Sequence, residues 1–422
     1  MTQTAPAFRN VPYMGVIFVV TEAMKLGFRN GHPDWSNLGQ GQPEIGEMEG
    51  APPRIRSVEL TESDAAYGPL EGTDELREAI AAHYNRLFRQ GKKSQYTAAN
   101  VSVASGGRLA LTRAAAALSD GAIGYQCPDY TAYEDLFNAH LHRMQPVDLW
   151  GKEENGFALT SQELRAAAQE HGLQGFLFSN PCNPTGTVVQ GDELAAYVAT
   201  ARETGMALLS DEFYSHFIFS GKGDGPFKPG TGPVSSASYI EDVEKDPVMI
   251  FDGLTKNYRY PGWRIGWVVG PSEMVENTAR TASAIDGGPS RLAQRAALQV
   301  LEPARADQET DALREVFCAK RNVMIERLSA LGVRFPKPSE STFYCWGSLE
   351  GLPAPFNDGM SFFRKALEHR VLTVPGEFFD VNPGKVRKGT SPFKQWMRFS
   401  FGPPMDNMQA GLDRLEQMLR QG

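Results

Sequence analysis

The sequence has few cysteines and no excess of positive charge. Its 422 residues include four cysteines, which form no CxxC pair and show no regular spacing. The sequence therefore indicates neither a zinc site nor a disulfide framework, and a reducing, cytoplasmic setting is expected. Lys and Arg number 42 against 50 Asp and Glu, for a net charge of -8. Nucleic-acid-binding proteins usually carry a basic face, so we expect no nucleic-acid partner.

Long apolar runs are also scarce. The run from Val11 to Val20 is too short to cross a bilayer. Glu22 and Lys25 follow where a signal peptide would need small residues for cleavage. We therefore predict a buried N-terminal arm or helix and no membrane partner. The sequence contains no repeats, and both the GxGxxG dinucleotide fingerprint and the P-loop pattern are absent.

Helical patterns and short apolar runs alternate through the middle of the chain. Residues 73–88 begin with Thr73 as a possible N-cap and repeat apolar residues at helical spacing, and residues 190–205 are also helical in pattern. Runs that are nearly continuous in apolar residues are typical of strands buried on both faces, and they occupy 175–180, 206–211, 248–253 and 264–270. The pattern predicts an α/β fold, with a mostly parallel central sheet and helices on both faces.

The pattern changes after residue 305. A long helix is predicted over 306–331, and further elements are predicted at 342–346, 371–374, 397–401 (strands) and 405–420 (a helix). We predict an N-terminal arm that also forms part of the small domain (1–45), a large domain (46–305) and a smaller α+β domain (306–422). The Gly-, Pro- and Ser-rich residues 225–242 are predicted to form a surface excursion.

Polar residues follow several predicted strands at their carboxyl ends, where open α/β sheets bind ligands. Asn183 follows the run at 175–180, Asp211 and Tyr214 follow that at 206–211, and Lys256 follows that at 248–253. Each alone has an ordinary structural interpretation, such as a turn, a helix cap, a rigid loop or a surface position. Their convergence on one edge of one sheet favours a functional site.

Two further features at this edge indicate an anionic ligand. Gly106 and Gly107 follow an apolar run and open a helical stretch, whose backbone N–H groups could hold an anion. Arg264 lies eight residues after Lys256, behind Pro261-Gly262. Two cations near each other in a cleft are costly unless an anion joins them. The interpretation of Arg264 as an ordinary salt-bridge partner stays open at this point.

The order of these motifs resembles the fold-type I pyridoxal-phosphate enzymes, most closely the class I/II aminotransferases. The motifs are SNPCNPTG (179–186), DEFY (211–214) and TK (255–256), with GWR (262–264) beginning six residues after the lysine. The resemblance extends from about residue 37 to residue 402. It implies the fold-type I architecture, pyridoxal 5'-phosphate as cofactor, and amino acid and 2-oxo acid substrates.

The resemblance assigns the cofactor ring to five residues. Lys256 would form the Schiff base with the cofactor aldehyde and shuttle the proton during catalysis. Asp211 would pair with the pyridinium nitrogen and keep it protonated. Tyr214 and Asn183 would hydrogen-bond the phenolic oxygen of the ring, and Tyr130 would stack on its face. No metal ligand is implied.

The resemblance also assigns the phosphate of the cofactor. Arg264 and the turn formed by Gly106, Gly107 and Arg108 would hold it. Tyr67, in AAYGPLEG, matches a tyrosine that reaches the phosphate from a neighbouring subunit. This match predicts a homodimer with shared active sites.

The substrate carboxylate is assigned to Arg398, in MRFSFG, with Gly39 contributing a backbone contact beside it and Asn183 a side-chain contact. The chain departs from the family at Gly253, where a phosphate-binding serine is common. Thr255 is the candidate that could replace this serine. In the loop KPSESTFYCW (337–346), the glycine usual before the aromatic pair is missing.

These motifs do not identify the side chain of the substrate. Its candidate neighbours are Tyr13 and Ile17 in the N-terminal arm and the loop at 282–292. In that loop Asp286 could attract a basic side chain and Arg291 an acidic one, and the interpretation of either as a surface residue stays open.

These roles predict an aminotransferase that moves an amino group between an α-amino acid and a 2-oxo acid. A pyridoxal-phosphate-dependent lyase, or another non-transaminating amino-acid enzyme on the same scaffold, is the alternative, because it would use the same residues. A regulator that senses the cofactor without catalysis is a further alternative, and such regulators usually carry an N-terminal DNA-binding domain. The motif NLGQGQPE begins at residue 37, which disfavours this alternative. Retention of the reactive residues, Lys256 and Asp211 among them, disfavours a purely structural protein.

Overall fold

A computed structural model describes residues 15–219 and 232–421. The helices are α1 (Gly15–Lys25), α2 (Asp74–Phe88), α3 (Gly107–Ala117), α4 (Ala132–Asn138), α5 (Ser161–His171), α6 (Asp192–Thr204), α7 (Ser272–Ile285), α8 (Arg291–Val300), α9 (Pro303–Ala330), α10 (Gly359–Glu368) and α11 (Met405–Gln421). None of the helices in these two ranges combines the length and the apolarity that a bilayer crossing requires.

The strands form one large sheet and two small ones. They are β1 (Ser36–Asn37), β2 (Val101–Ala104), β3 (Gly121–Cys127), β4 (Met144–Trp150), β5 (Gly175–Ser179), β6 (Ala207–Asp211), β7 (Val248–Gly253), β8 (Gly266–Val269), β9 (Tyr344–Ser348), β10 (Val371–Leu372), β11 (Val374–Pro375) and β12 (Trp396–Ser400). The four apolar runs predicted as strands correspond to β5, β6, β7 and β8.

The large sheet has seven strands in the order β2-β8-β7-β6-β5-β3-β4. The pairs from β7 to β4 are parallel, whereas β8 is antiparallel to both β2 and β7. The predicted, mostly parallel sheet is thus confirmed. Because β5, β6 and β7 are parallel, the residues that follow them meet at one edge.

Helices cover both faces of this sheet, as predicted. Alternate residues of a strand point to opposite faces. On one face Leu177, Leu209 and Phe251 join the hydrophobic cluster that includes α3 and α4. On the other face Phe176, Phe178, Leu208 and Ile250 join a cluster with α2, α5 and α6. The sheet is therefore buried on both sides, which explains the continuous apolar runs in the sequence.

A smaller α+β unit follows in the chain. Strands β11, β12 and β9 form an antiparallel sheet, and β1 pairs with β10 in parallel. The predicted long helix corresponds to α9, and the last predicted helix to α11. Phe18 of α1 packs against Phe378, with ring centroids 5.5 Å apart. The domain limits at residues 45 and 305 stay predictions.

The predicted surface excursion at 225–242 is wrong for residues 232–237. Residues 225–231 lie outside the described ranges, but residues 232–237 are buried. Ser236 donates its backbone N–H to Glu212 at 2.9 Å, and the buried Arg89 donates to the carbonyls of Ala237 and Ile240 at 2.9 Å. Composition alone missed this burial because distant side chains satisfy the backbone of the segment.

Candidate active site

A cavity of about 530 Å³ opens beyond the carboxyl ends of β5, β6 and β7. The predicted site residues that line it are Gly107, Arg108, Tyr130, Asn183, Asp211, Tyr214, Thr255, Lys256, Arg264 and Arg398. The fold therefore brings these ten residues together in one place. Helix α1 adds Val16, Ile17 and Val20 to the lining, and Ile17 is the residue that the sequence suggested there.

Lys256 follows β7 and lies partly exposed to the cavity. Its amine donates to the carbonyl of Gly41. Burial and, after it, the positive charges of Arg398, Arg264 and Arg108 together lower the pKa of Lys256 to about 7, with Asp211 acting in the opposite direction. A lysine with such a pKa is unprotonated in a substantial fraction of molecules at neutral pH, which makes it a nucleophile and a base.

Asp211 ends β6 and is 5% exposed. Burial raises the pKa of this carboxyl group to about 6, against the opposing effects of a hydrogen bond from Tyr133 and of the Lys256 charge. The phenol of Tyr133 donates to Asp211 Oδ2 at 2.8 Å. A carboxylate held in this way can stabilise a protonated nitrogen placed in the cavity.

Arg398 is on β12, in the small sheet, and is 1% exposed. Its guanidinium donates to Asn183 Oδ1 at 2.8 Å and to the Gly39 carbonyl at 2.9 Å. It also lies 4.0 Å from the ring centroid of Tyr344. Arg398 Nε has no hydrogen-bond partner among the described residues. The arginine is thus held rigidly and keeps a buried donor for an anionic ligand.

The two predicted tyrosines of the cavity have partners of their own. The hydroxyl of Tyr214 lies 2.9 Å from that of Tyr344, and burial raises the pKa of Tyr214 well above its usual value. Arg108 Nε donates to the hydroxyl of Tyr130 at 3.0 Å. The side chain of Arg108, which the sequence left unplaced, is therefore directed toward Tyr130.

Gly106 and Gly107 form a cradle at the start of α3. Gly106 has φ of +95°, and a Cβ there would lie 2.0 Å from the Arg264 guanidinium. A Cβ on Gly107 would lie 2.3 Å from the ring of Phe213. Only glycine allows Arg264 and the helix start to approach so closely. The first N–H groups of a helix have no intrahelical partner, so this cradle suits an anion.

Gly253 departs from the family because the sheet leaves no space for a side chain. A Cβ at this position would lie 2.5 Å from the Ile265 carbonyl oxygen and 2.6 Å from Gly266 Cα. Both atoms belong to backbone that cannot rotate away. Thr255 lines the cavity two residues later, and it is the hydroxyl available there.

We expect Gly253→Ser, which would restore the residue common in the family, to destabilise this protein. Overpacking of a closed site costs about 1–3 kcal/mol. Urea unfolding should show a lower midpoint with an unchanged slope. Gly262→Ser is the matched control, because a Cβ at Gly262 meets nothing within 4 Å. Equal midpoints for the two variants would contradict this account of Gly253.

Some candidates lie away from the cavity. Tyr67 is fully exposed at 101% and is not part of the cavity lining. Asp286 forms an ion pair with the buried Arg113 at 2.8 Å, and Arg291 lies 3.8 Å from Asp64. Neither therefore faces the substrate space of this chain. Tyr13, also suggested for the lining, lies outside the described residues.

The sequence missed two tyrosines that contact predicted site residues. Tyr133 lies in the first turn of α4, and Tyr130, three residues earlier, lies in the turn that leads into this helix. Tyr344 belongs to the loop that departs from the family pattern, so no motif pointed to it. Each contacts a predicted residue, Asp211 and Tyr214 respectively.

The residues present fit pyridoxal 5'-phosphate. The glycine cradle and Arg264 suit its phosphate, the Lys256 amine suits its aldehyde, and the Asp211 carboxylate suits its pyridinium nitrogen. The buried and unsatisfied donor on Arg398 suits the carboxylate of an amino acid beside it. Within the described ranges, no group of three or more His, Cys, Asp or Glu side chains could hold a metal ion.

Comparison with known proteins gives one consistent result. The family described as aminotransferase class I and II matches residues 33–415. An aspartate aminotransferase of Sulfurisphaera tokodaii is 27% identical over 91% of this chain and 89% of its own length. An aspartate/prephenate aminotransferase of Cereibacter sphaeroides is 30% identical over 83% of this chain and 85% of its own.

Solved structures show the same fold. An aminotransferase from Mycobacterium tuberculosis superposes with a TM-score of 0.78 over 100% of both chains, at 24% identity. The family match covers nearly the whole chain. The chain therefore belongs to the class I and II aminotransferases, the pyridoxal-phosphate-dependent enzymes of fold type I that transfer an amino group.

Proposed function

We propose that this aminotransferase holds its cofactor between Lys256 and Arg264 and binds the α-carboxylate of its substrate at Arg398. The convergence of these three cations in one cavity carries the proposal. The charges of the two arginines lower the pKa of Lys256. A dianionic phosphate beside Arg264 and a carboxylate beside Arg398 would balance these charges. Amino acid and cofactor thus complete the electrostatics of the site.

The bound cofactor supplies an aldehyde that receives the amino group and a ring that takes up an electron pair from the substrate Cα. In this proposal Lys256 Nζ would remove the proton from the substrate Cα and deliver it to the carbon of the cofactor that carried the aldehyde, so that the amino group stays with the cofactor when the 2-oxo acid leaves. Its pKa of about 7 suits both directions, because a proton shuttle works best near the ambient pH. Nζ donates to the Gly41 carbonyl, and Gly41 is itself part of the cavity lining.

The other residues of the site would polarise the cofactor ring and orient the substrate. Asp211 holds the proton of the ring nitrogen in place, so the ring keeps its affinity for electrons. Arg398 can form two parallel hydrogen bonds to a carboxylate, and its contacts with Asn183, Gly39 and Tyr344 fix the plane of the guanidinium. The amino acid would therefore enter with its Cα–H bond held toward Lys256.

The remaining space in the cavity has a mixed character. Val16, Ile17 and Val20 of α1 form an apolar wall, whereas Arg108 and Asp135 place one charge of each sign in the lining. Two relatives carry names that specify aspartate, and one of them also names prephenate. An experiment on donors should therefore compare acidic, aromatic, aliphatic and basic amino acids.

The test of the proposed function is a panel of amino donors added to the cofactor-loaded protein. A true donor should change the visible absorbance of the protein and release its 2-oxo acid in equal amount. Added 2-oxo acid should restore the spectrum. A protein that takes up no cofactor, or that releases ammonia in place of transferring the amino group, would overturn the proposal.

We also propose a homodimer in which Tyr67 completes the site of the partner subunit. Tyr67 is fully exposed, and so in large part is Leu60, at 53%. They flank a turn that is anchored to α8 by Asp64, 2.9 Å from Arg295, and Leu292 at the start of α8 is 49% exposed. Exposed apolar residues on one surface favour burial against a second copy.

We propose a cytoplasmic setting for this protein as well. The free cysteines support this proposal, because disulfides are rare in the reducing cytoplasm.

Mixing two inactive variants should test the sharing of sites. A heterodimer of Lys256→Ala and Tyr67→Ala subunits contains one intact site if Tyr67 acts across the interface. An equal mixture of subunits should then recover about one quarter of the wild-type activity, because half of the dimers are mixed and each has one of two sites. The mixture would recover nothing if Tyr67 acted within its own chain. If Tyr67 took no part in the site, Tyr67→Ala alone would be active and the mixture would keep about half of the wild-type activity.

A further inference from the structure

A buried tyrosine outside the predicted set contacts the carboxylate that would serve the cofactor ring. Tyr133 lies in the first turn of α4 and is 1% exposed. Its hydroxyl donates to Asp211 Oδ2 at 2.8 Å. A hydrogen bond of this kind to an ionised, buried acceptor is stronger than one between neutral groups.

The second oxygen of Asp211 is less well bonded. Oδ1 accepts the backbone N–H of Phe213 at 3.5 Å, at the limit of a hydrogen bond. The phenol of Tyr133 is thus the main donor that the protein itself provides to this carboxylate. It leaves the other side of Asp211 open to the cavity, which Asp211 lines.

The ionisable groups around Asp211 come from three other elements. Lys256 follows β7, Asp252 belongs to β7, and Asp129 lies in the turn between β3 and α4. Burial raises the pKa of both Asp129 and Asp252 well above its usual value, and the Asp211 charge adds to each shift. Neither acid can stabilise the charge of Asp211, so Lys256, the Tyr133 phenol and the weak bond from the Phe213 N–H are the groups that do.

The position of Tyr133 is fixed by the same turn that carries Tyr130. The Tyr133 backbone N–H donates to the Tyr130 carbonyl at 3.0 Å. The two rings meet edge to face, with centroids 5.5 Å apart and planes at 81°. Asp129 accepts the backbone N–H of Tyr130 at 2.7 Å and that of Ser179 at 3.0 Å. The phenol is therefore preorganised and does not swing toward Asp211 on demand.

We propose that Tyr133 is a positioning residue for amino transfer, which holds Asp211 in its ionised form and in the orientation that meets the ring nitrogen of the cofactor. This inference rests on the role proposed above for Asp211. The segment that leads into α4 would then serve the cofactor ring in two ways. Tyr130 would stack on the face of the ring, and Tyr133 would support the carboxylate that pairs with its nitrogen.

The physical consequence is a change in proton affinity. Removing a hydrogen bond that favours the charged form raises the pKa of a carboxyl group. Asp211 without the phenol would take up a proton at a higher pH than in the wild type. A protonated Asp211 cannot pair with the ring nitrogen, so activity on the acid side would be lost earlier as the pH falls.

The test is Tyr133→Phe, with Tyr197→Phe as the matched control. Tyr197 is equally buried, and its hydroxyl donates to the Leu159 carbonyl at 2.8 Å, outside the cavity. For Tyr133→Phe we expect the acid limb of the kcat/KM profile and the visible spectral titration of the loaded protein to move up by about one pH unit. Cofactor should dissociate about ten-fold more readily by equilibrium dialysis. The control should leave all three unchanged.

A second variant acts in the opposite direction without deleting the phenol. Placing 3-fluorotyrosine at position 133 makes the hydroxyl a stronger donor. The acid limb of the kcat/KM profile and the spectral titration should therefore both move to lower pH. In an Asp211→Asn background, Tyr133→Phe should add no further loss of kcat. The inference would be overturned if the acid limb and the spectral titration stayed at the wild-type pH in Tyr133→Phe, or moved equally in Tyr197→Phe. Either result would leave the proposed function standing, because the wild type would still react with its amino donor.

Discussion

Lys256→Ala is expected to abolish turnover while the protein still binds cofactor. Loss of a positioned base alone costs about 10²–10⁴-fold, and the loss of the covalent attachment point adds to this. Arg264 and the Gly106–Gly107 cradle do not depend on Lys256, so the phosphate would still be held. The measurement is single-turnover kinetics with an amino donor, together with equilibrium dialysis of the cofactor.

Lys256→Arg separates reactivity from charge. Arginine keeps a cation beside Asp211 but cannot be deprotonated in proteins, so this variant should be as inactive as Lys256→Ala. The lowered pKa of Lys256 makes the comparison sharp, because the wild-type amine is already poised to lose its proton near neutrality. Activity of Lys256→Arg within ten-fold of the wild type would show that the charge, and not the nucleophile, carries the reaction.

Arg398→Lys is expected to lower kcat/KM for amino acids by about 10²–10³-fold, because truncation of a buried and hydrogen-bonded charge costs about 2–5 kcal/mol. Lysine retains the charge but loses the planar fork that fits a carboxylate, and it cannot reach Asn183, Gly39 and the substrate together. The wild type should discriminate strongly against an amine that lacks the carboxylate. The variant should lose most of this discrimination.

Arg387→Lys is the control for this prediction. Arg387 lies 2.9 Å from Asp148, also pairs with Asp380, and does not line the cavity. It should change stability without changing the preference for a carboxylate. If Arg398→Lys kept the wild-type ratio between amino acid and amine, the carboxylate site would have to lie elsewhere in the cavity.

The convergence of Asn183, Asp211 and Lys256 could be predicted from the sequence because parallel strands place their carboxyl ends at one edge. The apolar runs indicated which strands are buried, and the residue after each run then indicated the site. This reasoning needs only the order of the elements along the chain. The family resemblance added Arg398, whose distance in sequence from Lys256 hides its proximity.

Contacts between side chains from distant elements could not be predicted. The bond from Tyr133 to Asp211 joins α4 to β6, and that between Tyr214 and Tyr344 joins the segment after β6 to β9 of the three-stranded sheet. Neither follows from spacing, because each depends on how two packed layers approach. The same holds for Gly253, where the closeness of the backbone of β8, and not the local sequence, excludes a side chain.

The central claim is that Lys256 carries the cofactor. Borohydride reduction of the loaded protein, followed by proteolysis and mass spectrometry, tests it most directly. We expect the mass of the reduced cofactor on the peptide that contains Lys256, at close to one per chain, and its loss when an amino donor is added before reduction. Attachment to another lysine such as Lys320, or to none, would contradict the account.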